Sequence, residues 1–140
     1  MRPHQRFWFV GLTTPIIYLV VCLIVNHTAF ARRPVPGFWP LDGRVYDSLF
    51  RSLIGVGVAM LPLVYLLKIR WAGKASDLPG DEIWGLTQSP RGRRYFVIFI
   101  LCDTIAVTGL ILYLIQGRMT AMFCFGVLGL VAYGLAHPGE

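Results

Sequence analysis

Four long apolar segments punctuated by short polar stretches set the pattern of this chain: residues 7–25, 49–67, 95–116 and 119–136. A helix rises about 1.5 Å per residue, so roughly 20 apolar residues cross a hydrocarbon core about 30 Å thick. Each segment therefore predicts a transmembrane helix. The fold expected is all-α, a single-domain four-helix transmembrane bundle with a polar central loop over 68–94.

The connections carry their own signals. Arg32 to Pro40 contains three prolines and a glycine, which exclude a regular helix and predict an ordered cap beyond the first two spans. In the central loop, Asp81 and Glu82 follow Pro79 and predict a short surface helix. Ser89-Pro90 reads as a cap and first helical residue, so the third helix should start before its apolar segment. Arg2 and Arg6 precede the first segment, and Ala29-Phe30-Ala31 imitates a signal-peptide cleavage site. The apolar run exceeds the usual core of a signal, and we read it as a transmembrane helix.

Composition narrows the class further. With 56% hydrophobic and 14% charged residues, the chain suits lipid rather than a soluble domain of this length. The net charge of +6 comes from basic residues lying between the apolar segments, without an extended basic face. Anionic lipid headgroups, not nucleic acid, are the expected counter-charge. Eight Lys and Arg residues precede the first span or lie in the central loop, against five on the opposite side, which predicts both termini to be cytoplasmic. The expected location is a bacterial inner membrane, as a multi-pass protein.

Candidate chemistry is sparse. Asp103 is the sole carboxylate within the four segments, and an ionisable residue at such depth is a functional-site hypothesis because it costs roughly 2.5–3.5 kcal/mol to insert. Counting residues from the segment ends places it level with Thr13 and Thr14 on the first span, Ala59 on the second and Gly129 on the fourth. Thr104 and Thr108 extend a polar layer along the third span. Gly55, Ala59, Gly126 and Gly129 have the small size that lets helices approach closely, within the fold or with another protein. Arg91, Arg93 and Arg94 form a basic turn suited to an anionic lipid or a partner surface.

No cofactor or metal is expected. The three histidines lie outside the spans and cannot supply the paired axial imidazoles of a membrane haem, and the three cysteines lack C-x-x-C spacing. Nucleotide-binding and hydrolase motifs are missing as well. Arg6-Phe7-Trp8-Phe9-Val10-Gly11 resembles the first-helix signature of the GtrA-like four-span family, which implies translocation of lipid-linked sugars. That family's Asn-Phe and Arg-Trp features after the second and fourth spans have no counterpart here.

The leading expectation is a non-catalytic accessory or assembly subunit of a larger membrane complex, partnered by other membrane subunits. The alternative is a small oligomeric transporter or channel protomer that uses Asp103 for protons, cations or a lipid-linked substrate. A third reading is an integral membrane enzyme acting on lipid headgroups through Asp81, Glu82 and the basic turn.

Overall fold

A computed structural model of the chain describes residues 3–32, 37–72 and 90–137, with side chains over 8–32, 37–70 and 93–137. It is all-helical, with no strand among the described residues. The helices are α1 (Pro3–Val25), α2 (Gly43–Leu67), α3 (Pro90–Gln116) and α4 (Met119–Leu135). Wider π-helical turns, Asn26–Phe30 and Lys68–Ala72, prolong α1 and α2. Three helical stretches, Trp8–Phe30, Gly43–Arg70 and Arg93–Gln116, are long and apolar enough to cross a membrane, which fits an integral membrane protein. The 17-residue α4 is also apolar but, at about 25 Å, shorter than the core.

Helix boundaries follow local chemistry. Helix α2 starts six residues ahead of its apolar segment because Asp42 caps it, its side chain accepting from the Arg44 amide at 2.9 Å. Helix α3 starts at Pro90, where a missing N–H costs nothing. The short helix anticipated around Asp81 and Glu82 lies outside the described residues.

Helices α3 and α4 form the central pair, joined by Gly117 and Arg118 alone. Gly117, at φ 71°, ends α3 with a left-handed residue whose amide donates to the Tyr113 carbonyl at 2.6 Å. Along α3 the buried positions Tyr95, Ile98, Cys102, Ile105, Gly109 and Leu112 alternate by three and four residues, the spacing of a left-handed helix seam. Helix α4 answers with Ala121, Phe125, Gly129 and Ala132, and Ala136 at its C-cap continues the row. Helices α1 and α2 pack on opposite flanks of this pair and scarcely touch each other.

At one end, the connection between α1 and α2 folds over the end of α3. Phe38 and Trp39 amides donate to the Leu114 and Ile115 carbonyls at 2.8 and 3.3 Å, and the Leu41 amide donates to Gln116 Oε1 at 2.9 Å. Carbonyls that a helix end leaves without partners are thereby satisfied by another segment. Within the described residues, this is the cap expected of the Pro-Gly stretch; Arg33 to Pro36 lie outside them. Phe30 packs between Phe38 and Tyr113, with ring centroids 5.1 and 5.6 Å away. Nearby, Arg118 pairs with Asp47 at 2.9 Å and lies over the Tyr46 ring. Both charged partners are about half exposed (49% and 53%), so the pair contributes at most about 1 kcal/mol.

The start of α1 and the end of α4 share the opposite end, where the Trp8 indole donates to the Tyr133 carbonyl at 2.8 Å and its ring meets His137. On the capped side, the buried Tyr113 hydroxyl donates to the Cys22 carbonyl at 2.7 Å and ties α3 to α1. Tyr113→Phe should lower stability by about 1 kcal/mol, the net value of one such bond. The midpoint of unfolding by dodecyl sulfate in mixed micelles would report it, and an unchanged midpoint would contradict the tie.

Candidate functional site

Asp103 sits on α3 thirteen residues from each end of the helix, about 20 Å from either. Its side chain borders a cleft of about 380 Å³ between α1 and α3, floored by Tyr133 of α4 and otherwise lined mainly by Val10, Phe96, Phe99, Ile100 and Val107. Val10 and Ile100 at its rim are exposed, so the cleft opens sideways. Gly11 makes the floor possible: a Cβ there would stand 2.6 Å from Cε1 of Tyr133.

The carboxylate is poorly matched among the described residues. Oδ2 accepts a long hydrogen bond, 3.5 Å, from the Tyr18 hydroxyl, while the buried Oδ1 has no partner. No cation lies against it among the described residues. A carboxylate offers about four lone-pair positions, and here one is used at long range.

Thr13, Thr14, Thr104 and Thr108 are near in sequence level, but their hydroxyls serve their own helices. Thr13 and Thr14 both donate to the Val10 carbonyl, at 2.7 and 3.3 Å. Thr104 donates to Ile100 and Thr108 to Thr104, each at 2.8 Å. Backward bonding of this kind is the local option open to any helical threonine, and it wins because no rearrangement between helices is needed. Thr14 and Thr104 nonetheless line the cleft with Asp103, while Thr13 is exposed. Tyr18 is the residue that sequence reasoning missed; a tyrosine hydroxyl well inside an apolar span, away from either boundary, was the available signal.

No family model, curated protein or solved structure significantly matches this chain. Its chemistry must therefore be argued from its own surfaces.

The small residues divide into two groups. Gly129 is an internal contact, with Ala106 Cβ 3.3 Å and Pro15 Cγ 3.6 Å from a Cβ built on it. Gly57 and Gly109, not singled out from sequence, are internal as well, facing Leu128 and Phe125 respectively. Gly126 borders a groove between α1 and α4 and meets only Met122 of its own helix. Gly55 has nothing within 4 Å of an added Cβ, and Ala59 is exposed.

Gly55 and Ala59 belong to a larger feature. Arg44, Ser48, Arg51, Ser52, Gly55 and Ala59 share one exposed face of α2, opposite the side that buries Tyr46, Gly57 and Val64. A helix bordered only by lipid would turn apolar side chains outward all round; this one exposes Val45, Val56, Val58 and Leu66 but sets a stripe of polar and small residues among them. At the other end of the molecule, Arg93 and Arg94 are exposed in the first turns of α3. The Arg91 side chain, and the acids Asp81 and Glu82 of the lipid-enzyme reading, lie outside the described residues.

Proposed function

We propose that this chain is a non-catalytic accessory or assembly subunit of a larger integral membrane complex. It would form a four-helix transmembrane bundle, with both termini cytoplasmic and Arg91, Arg93 and Arg94 among anionic headgroups. The observation that carries this reading is the outward face of α2. Small and hydroxyl-bearing residues at Ser48, Ser52, Gly55 and Ala59 allow close backbone approach and offer hydrogen bonds, the two main sources of helix association in lipid.

Purification in mild detergent should recover a larger membrane partner in fixed ratio. Gly55→Leu combined with Ala59→Leu should abolish that recovery while leaving the chain folded, because both positions have free space within the monomer. Recovery of self-oligomers alone, or partner retention by the double variant, would refute the reading. A bulky residue at Gly57, by contrast, should disturb the chain's own packing against Leu128 and Phe125.

One observation favours a second reading, a small transporter or channel protomer: an acid borders a cleft that is open to the side. Flux through reconstituted vesicles that disappears with Asp103→Asn would select it.

A further inference from the structure

We propose that the Asp103 cleft receives one basic side chain, a lysine or arginine, carried at mid-depth by a transmembrane helix of a partner protein. The proposal rests on the accessory-subunit reading and gives the chemistry by which this second surface would choose its partner.

Three observations lead to it. The first is the unsatisfied carboxylate: Oδ1 is buried without a partner, and Oδ2 has only the 3.5 Å contact from Tyr18. A carboxylate so poorly paired is costly to hold among apolar helices, and a donor that enters the cleft relieves the cost. The second is the direction of the neighbouring hydroxyls. Thr14 and Thr104 border the cleft with their protons committed to the Val10 and Ile100 carbonyls, so their oxygens remain as acceptors. The Asp103 carboxylate at the cleft's edge and these two oxygens suit a group that has several donors and no acceptor, which describes ammonium and guanidinium.

The third is depth. With Arg94 at the headgroup level about 13 Å along α3 on one side, and about 20 Å of helix on the other, the amine of a lipid headgroup remains too far from Asp103. The nearest cation along α3, Arg94, lies nine residues off, about 13 Å along the axis. Gly57 of α2 packs on Phe125, as does Gly109 of α3, six residues from Asp103, and Arg51 lies six residues beyond Gly57 in the same direction, so a second copy of this chain would not place Arg51 at the level of Asp103 in a parallel pair. Among the described residues no Lys or Arg of this chain stands at this level, so the donor is assigned to a foreign helix, to which the cleft's sideways opening between α1 and α3 gives entry.

The test uses the full chain in phosphatidylcholine vesicles with synthetic leucine-alanine transmembrane peptides as probes. One peptide carries a single central lysine, a second carries leucine there, and a third has its lysine moved seven residues towards one end. Energy transfer from the chain's tryptophans to a dansyl group on each peptide measures association. The central-lysine peptide should bind roughly 5–30-fold more tightly than the leucine peptide, the range of a hydrogen bond between membrane helices. The displaced lysine should give no gain, and Asp103→Asn should cancel the gain of the central one. Equal binding of the three peptides to the wild-type chain, or a lysine preference that survives Asp103→Asn, overturns the proposal. Because no native partner takes part, that failure would leave co-purification evidence untouched. Failure of co-purification alongside lysine-selective binding would instead remove the accessory-subunit reading alone.

Discussion

Gly109→Val should destabilise the protein by about 3 kcal/mol, the upper part of the range for overpacking a close contact. A Cβ on residue 109 would stand 2.5 Å from Phe125 Cβ and 3.2 Å from the Ala121 carbonyl oxygen. Neither obstacle is the free end of a flexible side chain. Phe125 Cβ is fixed to the α4 backbone and the Ala121 oxygen is part of it, so relief requires α3 and α4 to separate. These two helices are the central pair on which α1 and α2 both pack, and their separation would loosen the seating of both. Gly134→Val is the matched control, since nothing lies within 4 Å of a Cβ there. Dodecyl sulfate titration in mixed micelles should show a clearly lower midpoint for the first variant than for the second. Equal midpoints would mean that the central pair does not rely on this approach.

The second large effect is expected at Gly37. Its φ of 100° falls in the region where an L side chain is strained, at about 1–2 kcal/mol, and a Cβ would press into the Ile115 carbonyl oxygen. That oxygen already accepts from the Trp39 amide, so the substitution drives apart two segments held together by hydrogen bonds. Gly37→Ala should therefore cost about 3 kcal/mol once the displaced cap bonds are included. Hydrogen exchange at the Phe38 and Trp39 amides should rise with it. Gly43→Ala, with open space around the added carbon, should leave exchange at those amides unchanged. Rapid exchange of both amides in the wild-type protein would argue against the cap itself.

Much of the architecture is legible in the sequence for a simple reason: crossing lipid demands long uninterrupted apolar runs. Which side of each helix packs inward is far less legible. The α3 seam through Tyr95, Ile98, Cys102, Ile105, Gly109 and Leu112 has regular spacing, but its lipid-side neighbours Phe96, Val97, Ile100 and Ile111 are equally apolar. Hydrophobic periodicity distinguishes faces only where the outer one meets water. Helix α2 is the exception, because its polar and small residues collect on one side, yet that side points away from the chain's own core. Gly55 and Ala59 stand out from their spacing as candidates for helix contact, and the structure leaves both outside the chain's own packing.

The candidate site divides in the same way. Asp103 stands out through charge alone, and Thr14 lines the cleft with it. The hydrogen bonding around Asp103 is not readable from depth, since each threonine finds an acceptor on its own helix one turn back. Tyr18 resembles the aromatic residues that anchor span ends, and only its position well inside α1 distinguishes it.

The cap over α3 also imposes an order on biosynthesis. The Leu41 amide must wait for Gln116, made 75 residues later, which is about 4–15 s at ordinary translation rates of roughly 5–20 residues per second. During that interval α1 and α2 have little to hold them together, because the α3–α4 hairpin that fills the space between them does not yet exist. The first two helices thus lack their shared packing surface until residues 90–135 are made, and α3 and α4 then close them into one body.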